Sequence, residues 1–433
     1  MSLVNFRNHR SRCIDTAADV VLLNGANGSG KTSIMESISL FTPGRGICNA
    51  VSSTILNNDV KNGAMDDSEH AAAVAWQVSM RYVGGAASDL IEDEDRLRLE
   101  CYLGDATSGV GGKKLYINDN AVQSRVAILD MFNIVWLTPR MDYLLYDASS
   151  DRRKFLDRIV YNFVADHAKD CALYDKQSKS RLKMLHDRYG DDRWVSAIEH
   201  SMSGTAVMIA IRRVIVVRCV NAELPRSISN SFSNMYLDIV GDVEKLVSGF
   251  VDNFCKHLSD ESNDHGDIGV ELLYYTNNDV FMDIIDADDE LCSAYTDIKN
   301  SVMCALREKR YKDRISHRSH YGVNRSDLLV YNAVLNDILA KYCSVGEQKS
   351  MLISLLIAQI VLLERYSNII ARKWGVVKKG LVVLLDDILS HLDDNKRRLF
   401  IEILNNLEGQ VWITGTDLVQ YKHLFNRCVL IDV

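Results

Sequence analysis

Val20–Leu40 reads VVLLNGANGSGKTSIMESISL, a buried strand, a loop and a helix in succession. Val20, Val21, Leu22 and Leu23 make a β-branched and aliphatic run that ends at Asn24, as a strand covered on both faces should. The next eight residues, Gly25, Ala26, Asn27, Gly28, Ser29, Gly30, Lys31 and Thr32, fit G-x-x-x-x-G-K-[ST]. Glycines at 25, 28 and 30 let backbone N–H groups turn inward round a phosphate without Cβ clashes. Lys31 offers a mobile cation to the β- and γ-phosphates, and the Thr32 hydroxyl is a ligand for Mg²⁺. From Lys31 to Leu40 the spacing predicts a helix whose N-terminus, with Ser33 in its first turn, points its dipole at the anion. The reading is a nucleoside-triphosphate cradle.

Outward from the loop, the chain alternates in character. AAAVAWQVSMRYV (71–83), RLRLECYL (96–103) and KKLYIND (113–119) predict an antiparallel lobe, with a hairpin turn at Asn118-Asp-Asn120. From about 150 to 224 helical spacing takes over. Leu156, Val160, Val164, Ala168, Cys171 and Tyr174 mark one helix; Trp194, Ile198, Met202, Ala206 and Ile209 mark another, ending before Pro225. The expectation is an antiparallel arm ~45–60 Å long, with an ordinary helical subdomain as the plainer alternative. LVVLLDD (381–387) and QVWITGTD (410–417) return to buried strands.

Composition sets limits. The 433 residues are 47% hydrophobic and 25% charged, which is globular and too long for one core. Ten scattered cysteines without a C-x-x-C pair, and histidines without ligand spacing, argue for reduced thiols and against a zinc site. MSLVNFRNHR has no apolar signal segment, and MLISLLIAQIVLL, interrupted by Gln359, reads as too short to span a bilayer. The expected location is cytoplasmic, with no membrane partner. Net charge is −8, but twelve Asp and Glu and no Lys or Arg lie between Lys256 and Lys299; without that block the remainder is at about +4. The block reads as a solvated face or an insertion, and Asp286-Ala-Asp-Asp-Glu290 within it lacks the glycine of a calcium loop.

The paired carboxylates complete the nucleotide reading. An aliphatic strand ending in Asp386 presents that carboxylate to the Mg²⁺ shell, and Asp387 is placed to polarise the attacking water. Ile388-Leu-Ser390-His-Leu392-Asp393 follows, and CSVGEQKS (Cys343–Ser350) precedes.

In this order the motifs resemble the ABC-type ATPase head: Walker A, an S-x-G-[EQ]-Q signature, Walker B and an S-x-L-D loop. That resemblance implies an α/β fold whose two lobes come from 1–149 and 321–433, with a helical arm domain inserted over 150–320. It also implies that Ser344 and Gly346 of the signature face nucleotide held by a second subunit, so that ATP drives a homodimer, and that Gln348 and Asp393 are nucleotide-binding residues as well. LVNFRNH (3–9), FTPGRG (41–46), VWLTPRMD (135–142), SSDRRKFLDRIV (149–160), RSDL (325–328), CSVGEQKSMLISLLIAQ (343–359) and LLDDILSHLD (384–393) are similar to the RecF family, in its alphaproteobacterial form. The family implies a DNA-binding ATPase of gap repair, replication and the SOS response. Its partners would be double- and single-stranded DNA, RecO and RecR, and indirectly the RecA recombinase.

Some departures matter. Gly322-Val-Asn-Arg325 stands where the family carries a G-P-H-R-like run; Asp387, as in the RecF family, stands where most ABC heads use Glu, which predicts slow hydrolysis; Thr414 and Thr416 stand where many heads place a switch His. Two other classes stay open: an SMC-like structural clamp with vestigial hydrolysis, and an overcoming-lysogenisation-type ATPase, which needs a nuclease domain after the head. The expected DNA surface is one of two basic stretches: Lys176, Lys179, Arg181, Lys183, Arg188 and Arg193, or Arg307, Lys309, Arg310, Lys312, Arg314 and Arg318.

Overall fold

The structure is a computed structural model, and it describes residues 1–57, 74–82, 95–103, 110–187, 192–227, 232–261, 268–277 and 280–433. These divide into two compact units, Met1–Met141 with Val376–Val433, and Asp142–Gly375. The strands in chain order are β1 (Ser2–Phe6), β2 (His9–Cys13), β3 (Val20–Asn24), β4 (Val74–Tyr82), β5 (Asp95–Leu103), β6 (Val110–Ile117), β7 (Asn120–Val122), β8 (Phe132–Leu137), β9 (Met235–Val240), β10 (Asp327–Asn332), β11 (Ile338–Leu339), β12 (Gly380–Asp386), β13 (Gln410–Gly415) and β14 (Cys428–Asp432).

In the first unit, five strands form a parallel sheet in the order β14-β3-β13-β12-β8. A parallel sheet is covered on both faces, so its strands read as continuous apolar runs. Val20–Leu23 are buried, as is every residue of β8. Neighbouring strands need not be consecutive: β13 lies between β3 and β12, which separates the strands that end in the two nucleotide motifs. Helix Lys31–Ser39 follows β3.

Beside it stands the expected antiparallel lobe, six strands in the order β2-β1-β4-β5-β6-β7. Asn118 and Asp119 take φ of 49° and 63°, the left-handed pair that closes a two-residue hairpin. Residues 71–73 and 83 of the first expected run lie outside the described residues. One core serves both sheets, with Leu3, Phe6, Trp76, Val78 and Leu97 packed in a cluster with Val21, Leu23, Ile34 and Trp412. Phe6 meets Trp76 edge-on at 5.6 Å between ring centres. Glu36, on the helix after the loop, is 1% exposed, and Arg7 neutralises it with bonds of 2.8 and 2.7 Å. Removing Arg7 would leave a buried carboxylate unpaired, a loss of about 3–5 kcal/mol.

The second unit corrects the expected division at 149/150 and 320/321. Its three-stranded antiparallel sheet, β11-β10-β9, pairs Asp327–Asn332 with Met235–Val240 over their full length. Helix Val345–Trp374 packs on helix Asp192–Ser227. The segment 321–375 therefore belongs with the helical unit, because its strand and its helix find their partners there. The stretch MLISLLIAQIVLL is only part of that helix, whose 30 residues are long and apolar enough to cross a membrane by length and composition; 72% of its most apolar window is buried. It is a core helix of this unit.

The expected arm is the centre of a bundle. Helix Asp192–Ser227, 36 residues or about 54 Å, packs against helices Asp166–His186, Asp242–Glu261, Asp289–Glu308 and Val345–Trp374. Every residue from Ile209 to Val217 is buried, so the helix is covered round its circumference there. Its apolar face begins one position later than expected. Val195 is 1% exposed while Trp194 is 67% exposed, and Pro225 falls inside the last turn. The preceding segment is two helices, Ser149–Phe163 and Asp166–His186, because Val164 adopts an extended conformation between them. The described part of the acidic block is helical with Asp283, Asp286, Asp289, Glu290 and Asp297 exposed, as a solvated face would be. Asp288 is half-buried as the cap of helix Asp289–Glu308, and Glu271 is buried and paired with Lys373 at 2.6 Å.

Candidate nucleotide site

At the carboxyl edge of the parallel sheet, where ligands of open α/β sheets bind, the loops after β3, β12 and β13 line a cleft of about 770 Å³. Asn27, Gly28, Gly30, Lys31, Thr32 and Ser33 form one wall; Asp386, Asp387, Thr414, Gly415 and Thr416 form another. Gly28 and Gly30 take φ of 85° and 108°. Gly30 is required twice over, since a Cβ there would lie 2.5 Å from both Asn8 Nδ2 and His9 Nε2. Gly25, Ala26 and Ser29 shape the turn rather than line the cleft: Ser29 N–H donates to Ala26 O at 3.3 Å.

Lys31 Nζ donates to the carbonyl oxygens of Gly25 and Ala26 at 2.6 and 2.7 Å. Its charge is thus folded onto the loop's own backbone, within reach of a phosphate that would offer it a stronger, anionic acceptor. Thr32 Oγ1 lies 3.1 Å from each oxygen of Asp386. A hydroxyl and a carboxylate held side by side are hard oxygen donors, the set that Mg²⁺ takes alongside phosphate and water. The two residues expected to hold metal are therefore together, and they fit it.

Asp387 adopts φ of 53°, and its N–H donates to Thr414 Oγ1 and to Thr414 O at 3.0 and 3.2 Å. Ser390 Oγ shares its one proton between the Asp387 carbonyl at 2.9 Å and Asp387 Oδ1 at 3.1 Å. Asp393 stands outside this chain's own cleft; its carboxylate accepts from Lys396 N–H at 2.9 Å and caps helix Asp394–Asn405. Arg7, Asn8, Thr54, Leu56, Asn57 and Pro139 complete the cleft without any motif of their own that points to it. Arg7, Asn8 and Pro139 belong to stretches marked only by their family likeness, and Thr54–Asn57 carry no motif.

The signature lies in the second unit. Ser344 caps helix Val345–Trp374 in a reciprocal box with Glu347, whose carboxylate accepts from the Ser344 N–H at 2.8 Å and hydroxyl at 2.7 Å. These bonds hold the Glu347 carboxyl below its usual range. Gln348 Nε2 donates to Cys343 O at 2.9 Å, tying down the turn. Ser344, Val345 and Gly346 remain exposed, and a Cβ at Gly346 would meet nothing within 4 Å.

Two clusters read differently in three dimensions. Arg181 is fully buried and bonds Glu199, Asp313 and the Leu306 carbonyl at 2.8, 2.6 and 2.6 Å. Arg310 bonds Glu199 and Ser196, and Arg314 donates to the Leu185 carbonyl. All three were expected on a DNA-facing surface; Arg181 is buried and Arg310 is half-buried against Glu199, while Arg314 stays exposed, and Arg188 lies outside the described residues. Lys176, Lys179, Lys183, Arg307, Lys312 and Arg318 are exposed. Asp157, His167 and Cys171 also converge, within 4.8 Å of one another. Arg213 already donates to both Asp157 oxygens at 2.8 and 2.9 Å, and that fixed cation opposes a metal ion. Although burial alone would raise it, the Arg213 charge and the His167 hydrogen bond hold the Asp157 carboxyl low.

Residues 1–430 match the family model described as RecF/RecN/SMC N terminal domain. The chain is similar to "DNA replication and repair protein RecF" of Rickettsia prowazekii (strain Madrid E), 30% identical over 433 residues, covering 100% of this chain and 98% of that protein. The protein of the same description from Mesorhizobium japonicum is 30% identical over 435 residues, covering 100% and 95%. Among solved structures, the recombination mediator protein RecF with ATP in the RecFOR pathway superposes with a TM-score of 0.69 at 18% identity, covering 100% of this chain and 96% of that one. The form with ATPrS gives 0.68 at 18% identity, covering 99% and 94%. At that identity the superpositions show the fold, an ABC-type ATPase head.

Proposed function

The chain belongs to the RecF family of DNA replication and repair proteins, and on that premise we propose that it is an ATP-binding switch for recombinational gap repair. The observation that carries the reading is the convergence of Lys31, Thr32, Asp386 and Asp387 on one cleft at the sheet's carboxyl edge. ATP bound there would draw Lys31 from the carbonyls of Gly25 and Ala26 onto its β- and γ-phosphates. Mg²⁺, held by Thr32 and Asp386, would supply positive charge to the same oxygens. Asp387 would orient the attacking water.

Two such heads would close on two nucleotides, each through the exposed Ser344 and Gly346 of the other, and open on hydrolysis. The closed dimer would hold gapped or junction DNA, double- and single-stranded, and with RecO and RecR assist loading of RecA. The exposed lysines and arginines of the second unit are the phosphate-contacting surface in this reading.

Lys31→Ala tests the cradle. Equilibrium binding of a fluorescent ATP analogue should weaken by at least ten-fold, because the loop loses the cation that answers the terminal phosphates, while the thermal melt stays near wild type. Wild-type affinity in this variant would remove the phosphate-cradle assignment.

A further inference from the structure

We propose that Thr414 is a positioning residue that sets the direction of both acidic side chains of the cleft. The inference rests on the reading of Asp386 as the metal-holding carboxylate. Thr414 is on β13, the strand between the two that carry the nucleotide motifs, and pairs in register with Leu23 on one side and Asp386 on the other. It is 1% exposed, so solvent does not compete for its hydroxyl.

That hydroxyl has one proton and two lone pairs, and its neighbours dictate how they are used. The Asp387 N–H, 3.0 Å away, can only donate, so Thr414 Oγ1 accepts there. The carboxylate of Asp386 can only accept, so the hydroxyl proton goes to Asp386 Oδ1 at 2.6 Å. This is the short range of a charge-assisted bond, whereas Thr32 Oγ1 stands 3.1 Å from each Asp386 oxygen. Thr414 is therefore the tighter constraint on the carboxylate: it ties Oδ1 to the sheet and leaves Oδ2 for a ligand in the cleft. The same oxygen, accepting from the Asp387 N–H, helps to hold that residue at its left-handed φ of 53°. One hydroxyl couples metal position to water position.

Partners of this kind behind a metal ligand change metal affinity by about 10–100-fold when removed. Thr414→Val removes the hydroxyl at nearly constant shape, and the Asp387 N–H keeps its bond to the Thr414 carbonyl. A fluorescent ATP analogue is titrated against each variant in EDTA and across Mg²⁺ concentrations, which reads metal affinity without turnover. Thr414→Val, and Thr414→Ala as a second hydroxyl-free variant, should bind nucleotide in EDTA within two-fold of wild type. Their Mg²⁺ half-saturation should rise by about ten-fold or more, and Thr414→Ser should restore it. A wild-type Mg²⁺ titration in whichever hydroxyl-free variant folds overturns the proposal, as does a Thr414→Ser shift as large as that of Thr414→Val. Asp386→Asn separates the two layers. If it shifts the Mg²⁺ curve while Thr414→Val does not, only the role of Thr414 is lost. If neither shifts, the metal reading of Asp386 fails with it.

Discussion

Asp387 stands at φ 53°, a conformation that Asp tolerates better than most residues, with Ser390 Oγ on one of its carboxylate oxygens. Asn shares that tolerance and keeps the shape of the side chain, so Asp387→Asn removes charge without moving backbone. Asp386 and Thr32, 3.1 Å apart, are untouched by it. ATP hydrolysis should fall by about 10²-fold or more, the size of a general-base contribution, while Mg²⁺-dependent nucleotide binding stays within two-fold. Single-turnover hydrolysis and equilibrium binding measure the two. Hydrolysis at the wild-type rate would assign the water-orienting role to another residue. Lys31, Thr32, Asp386 and Asp387 are all legible from sequence, because each motif sits beside a strand whose apolar run announces it. The left-handed φ of Asp387 and the place of Thr414 are not, since both depend on β13 lying between β3 and β12.

At the scale of elements, the signature is the start of a long core helix, and its capping box is visible in sequence as Ser344 followed three residues later by Glu347. The cap explains why this turn is rigid; exposed Ser344 and Gly346 explain how it can serve another molecule. Ser344→Arg should leave each head's own ATP affinity within about two-fold, because the cleft is lined by residues of the first unit. Dimer formation and turnover should each drop by at least ten-fold, as bulk and charge enter the interface. Collapse of ATP affinity itself would reduce the signature to a local helix start. Helix Asp166–His186 shows where sequence reading runs out. Arg181 is 132 positions from its partner Asp313, and no local spacing distinguishes it from the exposed Lys179 and Lys183. Replacing Arg181 would unbalance two buried carboxylates and cost about 3–5 kcal/mol of stability, so it is unsuited to any test of DNA binding.

At the scale of the whole molecule, an acidic protein binds DNA through a concentrated basic face. Lys176, Lys179 and Lys183 are exposed and fall at three- and four-residue spacing along one helix, which gives a single stripe. Changing all three to Gln should weaken duplex binding and lower the slope of log affinity against log salt by roughly 0.9 for each phosphate no longer neutralised. Arg307, Lys312 and Arg318 form the second triple. Sequence preference should change little in either, because bonds to phosphate carry position rather than sequence. If both triples keep the wild-type affinity and slope, the DNA surface lies elsewhere, with the antiparallel lobe the next to test.

Light scattering reads the proposed ATP-driven pairing of two heads as a change in mass. With Mg²⁺ and ATP, the Asp387→Asn protein should show twice the 48.8 kDa of one chain, and with ADP or no nucleotide it should return to that single mass. Gapped duplex should favour the larger species further. The same mass under all three nucleotide conditions, with ATP demonstrably bound, would contradict the account.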